Sequence, residues 1–417
     1  MREPGRPPPP AQRVRTALMA LGQHRRPRGS AAGGGPSPAD PELEDEHDEA
    51  EHDLHVSDLL SDRRRLAVAL LVVALFVAAI YFVIPQLVGL DKSLRRLDQA
   101  TWYWMVIAAA FNIGAFASYM ALFRGVLGGR GSDPVRKRID AAASYQITME
   151  RLAATRLFSA AGAGGLVLTY WALRKAGMPR RRSACRMVSF LVLTYTVYLG
   201  ALVVFGVLLR TGVLPGAAPF GATIVPAAIA GVVIALLGLV ALIPGDFERR
   251  LARVSGGGRS QRLAEKLATV PATLAAGVRI AIDYVGHPRR GALAIAGAVG
   301  FWAAQIGILW ASFEAFGGNV AFGVLVQGFF VGMAANLLPS PAGGVGTVDA
   351  GMIGAFLLFG IPAGLVFPAV LAYRVIAFWL PIPPGIVAYF QLRRTVARWE
   401  AERQSYTSES KVTVEAK

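Results

Sequence analysis

One cysteine and five histidines in 417 residues leave little material for disulfide or metal chemistry. Cys185 has no partner for an intramolecular disulfide and lies in the basic stretch 180–186, where it reads as a plain thiol near the cytoplasmic surface. None of His24, His47, His52, His55 and His287 falls within an apolar run, which argues against a haem or a histidine-ligated metal inside a membrane. His47, His52 and His55 stand among carboxylates, a weak divalent-metal trap or simply a solvated tail. No cofactor is expected. Charge is scarce as well, since only 17% of residues are charged while 54% are hydrophobic.

The apolar residues come in runs too long for a soluble core. Residues 66–87, 102–122, 187–209, 223–243, 291–312 and 365–390 each meet the roughly 20-residue requirement of a membrane-spanning helix. The pattern predicts an all-α polytopic membrane protein. Residues 1–60 contain a run of four prolines, the basic Arg25, Arg26 and Arg28, and then an acidic segment at 42–53. They offer too little apolar surface to offset the entropy of ordering, so a disordered tail is predicted. The short apolar run 17–21 falls below the length of a signal-peptide core. The formal net charge of +16 arises from basic residues beside the ends of apolar runs. That is the positive-inside pattern, which fits contact with anionic lipid rather than nucleic acid.

These charges order the spans. Arg63, Arg64 and Arg65 place the start of the first span in the cytoplasm, and Arg393, Arg394 and Arg398 return the last span there. Residues 139–173 lie between two basic clusters and are too short for two full spans, so they are expected to dip in and return. Residues 320–360, broken at Pro339 to Gly346, are expected to do the same from the opposite face. Within the basic loop 245–290, Leu263, Leu267, Val270, Leu274, Val278 and Ile282 recur at helical spacing and predict an amphipathic interfacial helix, or a solvent-facing helix packed on the domain. The predicted architecture is thus about six full spans plus two re-entrant broken-helix hairpins, arranged as inverted repeats at 61–210 and 220–395 of a membrane domain at 61–395. A cytoplasmic tail at 396–417 follows, both termini are cytoplasmic, and the plasma (inner) membrane is the expected location. Inverted repeats with broken helices suit a site that opens to either side. Each predicted hairpin also ends in a similar phrase, Ala176-Gly177-Met178-Pro179 and Phe359-Gly360-Ile361-Pro362.

The phrase Pro339-Ser340-Pro341-Ala342-Gly343-Gly344-Val345-Gly346-Thr347-Val348-Asp349, followed by Tyr373-Arg374, Phe378-Trp379-Leu380-Pro381 and Gly385, resembles the integral membrane domain of the lysylphosphatidylglycerol synthase and flippase-like family. Members typically carry Pro-Pro-Gly-Gly and then an acidic residue opening a helix. Here Ala342 is an extra residue and Asp349 stands where glutamate is usual, while the first hairpin has Leu166 to Tyr170 in place of a frequent charged pair. The resemblance implies either an aminoacyl-lipid synthase, in which a soluble transferase domain is attached, or a stand-alone domain that moves or binds lipids. Fewer than about 30 residues follow the last span, short of a catalytic domain of ordinary size, so synthase activity is not expected.

Asp349 and Arg374 are the leading candidates for function, because an ionisable group inside a membrane costs several kcal/mol unless paired or hydrated. A structural salt bridge, or a carboxylate at a helix start capped by Thr347, is the alternative. Gly343, Gly344 and Gly346, with Gly162, Gly164 and Gly165, are candidates to bring backbone N–H groups to a phosphate, or else to allow close helix packing. Neither phrase matches a nucleotide-binding loop. Arg156 is a candidate for bidentate phosphate contact, with Asn336 roughly corresponding in the second hairpin and Tyr373 beside Arg374. Glu150, Arg151 and Arg156 would otherwise snorkel to the cytoplasmic interface or pair locally. Asn112, Gln305 and Gln327 either line a pathway or bond between helices, and Trp102, Tyr103 and Trp104 read as interfacial anchors.

The leading expectation is a transporter or flippase for an anionic lipid or lipid-linked precursor. The alternatives are a lipid-modifying transferase with a cavity active site, and a non-catalytic scaffold acting through the amino-terminal tail. No Cys, His or Ser/His/Asp constellation in the spans suits nucleophilic catalysis.

Overall fold

The computed structural model describes residues 101–128, 134–157, 163–243, 259–337, 344 and 346–415. The predicted span at 66–87, the tail at 1–60, Gly162 and Gly343 lie outside the described residues. Among the described residues the fold is all helical, with no strand. The helices are α1 (Trp102–Leu127), α2 (Pro134–Arg138), α3 (Ala141–Leu157), α4 (Ala163–Lys175), α5 (Arg180–Arg210), α6 (Phe220–Ala241), α7 (Arg259–Gly286), α8 (Pro288–Ala315), α9 (Phe322–Met333), α10 (Thr347–Leu358), α11 (Ala363–Arg374) and α12 (Ile382–Glu415).

Five segments are long and apolar enough to cross a membrane: α1, α5, α6, residues Gly291–Ala315 of α8, and Ala363–Glu402 across α11 and α12. They cover the five predicted runs that fall within the described residues. α5 begins seven residues earlier than its apolar run, taking Arg180, Arg181 and Arg182 into its first turn. α12 continues to Glu415, so residues 396–415 are helical. α6 turns most of its surface outward, with Ile229 61% and Leu239 60% exposed. Such a face is stable only against lipid or protein.

Close packing rests on small residues, as expected where helices associate without a hydrophobic driving force. The most extensive interface joins α1 and α8. A Cβ on Gly297 would lie 2.6 Å from the Ser118 carbonyl oxygen and 2.7 Å from Leu122 Cα, and one on Gly125 would lie 2.7 Å from Ala294 N. The same device seats α9 on α10, where a Cβ on Gly332 would stand 2.5 Å from Met352 Cα.

Two pairs of short helices, α3 with α4 and α9 with α10, pack within this frame of longer ones. α3 starts at Asp140, whose Oδ1 accepts the Ala143 N–H at 2.7 Å. α9 runs into a 3-10 turn at Ala334–Leu337 before the break that precedes α10. The similar phrases ending the two pairs fold alike. Gly177 (φ +95°) and Gly360 (φ +79°) take the left-handed conformation that favours glycine. The next N–H closes a six-residue loop, Met178 to the Leu173 carbonyl and Ile361 to the Phe356 carbonyl, both at 3.1 Å. Pro179 and Pro362 then open α5 and α11.

α7 is a helix as predicted, and of the apolar residues at helical spacing it buries Val278 against the protein and leaves Leu274 and Ile282 outward. Ala272, Ala275, Ala281 and Tyr284 are buried with Val278. The reason is the close approach of α5: a Cβ on Gly277 would meet Val188 and lie 2.9 Å from the Cys185 carbonyl oxygen. Small side chains therefore take the contact, and larger ones face out.

Gly297→Val should lower the melting temperature of the detergent-solubilised protein, by a cost of about 1–3 kcal/mol for overpacking. Gly231→Val, where a Cβ meets nothing within 4 Å, should leave it within ~0.5 kcal/mol.

Candidate functional site

The site begins with Pro381. A proline has no N–H, so the Ala377 carbonyl, four residues earlier, loses its helical donor. Leu380 N–H bonds instead to the Val375 carbonyl at 3.0 Å, making residues Val375–Trp379 a π turn and freeing the Ile376 carbonyl as well. Both oxygens find side chains from other helices. Asn112 of α1 donates to Ile376 O at 3.0 Å, and Arg156 at the end of α3 donates through Nη2 to Ala377 O at 2.8 Å.

One turn before, Arg374 ends α11 and is 5% exposed. Its Nε forms an ion pair with Asp349 Oδ1 at 2.5 Å, and its Nη2 donates to the Gly344 carbonyl at 3.1 Å. Asp349 Oδ2 accepts the N–H of Gly346 at 3.0 Å. The carboxylate therefore caps α10 by reaching back, and the cap position belongs to Gly346 (φ +85°) rather than to Thr347. Thr347 is the first helical residue, and its hydroxyl points to the Gly344 carbonyl at 3.5 Å. The predicted pairing of Asp349 with Arg374 is present in the geometry.

Phe378 lies under two cations. The Arg374 guanidinium carbon is 4.5 Å and that of Arg156 5.6 Å from the ring centroid. These are cation–π distances, each worth ~0.5–2 kcal/mol. Tyr373 is buried, and its hydroxyl donates to Gln305 Oε1 at 3.3 Å.

These groups border a cavity of about 270 Å³. α3 contributes Arg151, Thr155 and Arg156, and the segment from α9 to α10 contributes Met333, Asn336, Gly344 and Val348. Tyr119, Phe190, Tyr195, Phe301, Trp302, Tyr373 and Phe378 give it aromatic walls. Three guanidiniums line it and, among the described residues, no carboxylate does.

Arg151 and Arg156 thus both line the cavity. Arg151 is 6% exposed, with its guanidinium carbon 4.6 Å from the Phe190 centroid and 6.0 Å from that of Tyr119. Its Nη1 and that of Arg156 are buried without a hydrogen-bond partner among the described residues. Glu150 is also buried, with both carboxylate oxygens lacking such a partner. The aromatic clamp around Arg151 comes from α1 and α5, which sequence spacing along α3 does not register.

The glycines serve different ends. The Gly346 N–H is taken by Asp349, and the Gly344 carbonyl by Arg374. A Cβ on Gly165 would meet Thr155 Oγ1 and lie 2.7 Å from the Arg151 carbonyl oxygen, so Gly165 permits the close contact of α4 with α3. Gly164 precedes it in the first turn of α4 and is not itself part of the cavity lining. Gly385 lets α12 approach α3, since a Cβ there would be 2.8 Å from the Met149 carbonyl oxygen. Asn112 and Gln327 bond between helices, Gln327 Nε2 donating to the Ala222 carbonyl at 3.0 Å. Gln305 both lines the cavity and accepts from Tyr373.

Residues 64–385 match the family described as the lysylphosphatidylglycerol synthase TM region. The chain belongs to that family. A shorter likeness is to a UPF0104 membrane protein of Methanothermobacter thermautotrophicus, 29% identical over 86 residues, which is 21% of this chain and 26% of that protein. The matched stretch thus spans about a quarter of that curated relative. The family assignment agrees with the resemblance carried by the Tyr373-Arg374 and Phe378-Trp379-Leu380-Pro381 phrases, whose members all touch or shape the cavity or the turn beside it.

Because Arg374 and Asp349 satisfy each other, their substitutions should not be additive. In thermal melts, Asp349→Asn with Arg374→Gln should be less damaging than the sum of the single changes, by a coupling of about 0.5–3 kcal/mol.

Proposed function

We propose that this protein moves an anionic lipid or lipid-linked precursor across the plasma membrane. The observation that carries this reading is the cavity lined by three guanidiniums and, among the described residues, no carboxylate, walled by aromatic rings and flanked by helices with exposed apolar faces. A phosphate headgroup satisfies such cations bidentately, and the rings tolerate the apolar portion next to it.

In this reading α3 with α4, and α9 with α10, are two re-entrant hairpins of an inverted repeat, entering from opposite faces and meeting at the site. The matched Gly-Pro endings at Gly177 and Gly360 support the repeat, as does the contribution of both pairs to one cavity. Transport through a central site is what such repeats permit, because rocking of one against the other exposes the site alternately. In this reading Arg174, Lys175, Arg180, Arg181 and Arg182, with Arg393, Arg394 and Arg398 of α12, lie on the cytoplasmic side, as the positive-inside pattern expects. Asp349 acts as the partner that holds Arg374 when the headgroup is absent.

The test is reconstitution of the purified protein in liposomes carrying fluorescent anionic lipids, with dithionite quenching read over time. The wild type should accelerate exchange, and Arg374→Ala and Arg156→Gln should each slow it by about tenfold or more, the loss of a charge-assisted contact of ~1.5–3 kcal/mol. Exchange unchanged by both substitutions would remove this site from the transport path.

A further inference from the structure

The charges around the cavity do not balance. Three arginines line it, and among the described residues the one carboxylate bonded to any of them, Asp349, is engaged by Arg374 and by the Gly346 N–H. Glu150, the chain neighbour of Arg151, is not among the lining residues. Arg151 and Arg156 therefore bring two further positive charges, each with a buried Nη1 that has no hydrogen-bond partner among the described residues. Arg156 and Arg374 also share the Phe378 ring, at 5.6 Å and 4.5 Å from its centroid, so two positive charges lie close together beside the cavity. A buried unpaired donor on a charged group is costly, and an anion with several acceptor oxygens relieves both sites at once.

The cavity, of about 270 Å³, has room for a phosphate or diphosphate group. Acyl or prenyl chains must lie outside it, along the apolar helix faces.

Resting on the lipid-transport reading above, we propose that the cavity selects a lipid whose headgroup is a dianionic phosphate, either a phosphomonoester or a diphosphate, over singly charged phosphodiester lipids. Arg151 and Arg156 make the distinction. A phosphodiester offers one negative charge to the two guanidiniums that Asp349 does not neutralise, Arg151 and Arg156, and leaves one positive charge unbalanced. A dianion has charge and oxygens for both unpaired guanidiniums.

The full chain in detergent would be titrated with dioleoyl phosphatidic acid and dioleoyl phosphatidylglycerol at about pH 8, above the second ionisation of a phosphomonoester. Inorganic phosphate and pyrophosphate serve as soluble probes. Phosphatidic acid should bind about tenfold tighter than phosphatidylglycerol, and Arg151→Gln should abolish the preference in protein that still melts cooperatively. Arg151→Lys, which keeps the charge, should retain part of the preference. Arg210→Gln, remote from the cavity, should retain all of it. Equal affinity for the two lipids, or a preference that survives both Arg151→Gln and Arg156→Gln, overturns the inference. Inorganic phosphate or pyrophosphate binding as tightly as phosphatidic acid overturns it too, by showing a site for soluble anions. The liposome assay separates the two readings. Equal binding with flux of both lipids leaves transport standing and removes the selectivity, whereas preferential binding of phosphatidic acid without flux of any lipid does the reverse.

Discussion

A guanidinium that cannot reach water must find acceptors, and Arg374 finds them on a segment that is not its own. Its ion pair with Asp349 and its hydrogen bond to the Gly344 carbonyl tie the end of α11 to the break before α10. The carboxylate in turn holds the Gly346 N–H, so the start of α10, the position of Gly344 and the rotamer of Arg374 are mutually dependent. Burial makes the arrangement stringent, since removing either partner leaves an uncompensated charge in a low-dielectric setting. The remaining features of the site are placed relative to this knot: Phe378 one turn on, Arg156 across its ring, and Tyr373 held by Gln305.

Much of the fold was legible because long apolar runs and flanking arginines are strong signals. The runs at 102–122 and 291–312 emerge as α1 and α8, and the shorter helical pairs stand where the glycine and proline breaks put them. What spacing along one helix did not supply was contact between helices. The spacing of Leu274 and Ile282 marks an apolar face of α7, but that small residues meet α5 follows from the close approach at Gly277. Likewise Arg151 looked like a residue near an interface, and only the rings of Tyr119 and Phe190, some 30 to 40 positions away in the chain, show it as part of a wall.

The candidate site was partly legible. Asp349, Arg374, Arg156, Tyr373 and Asn336 converge on one cavity or its immediate support. The glycines divided according to backbone chemistry. Gly165 and Gly385 admit neighbouring helices, while Gly344 and Gly346 lend polar groups to Arg374 and Asp349. A glycine-rich phrase in sequence does not distinguish these uses, because the same absence of a Cβ serves both.

Pro381 shows how a missing proton can organise charge. The Ala377 carbonyl is available to Arg156 because the helix cannot supply its usual donor there. Any other residue at that position would restore an N–H that competes for the same oxygen. The continuity of the last helix and the anchoring of a cavity cation thus draw on one acceptor, so that straightening the backbone and holding the arginine in place are opposed demands on the same carbonyl.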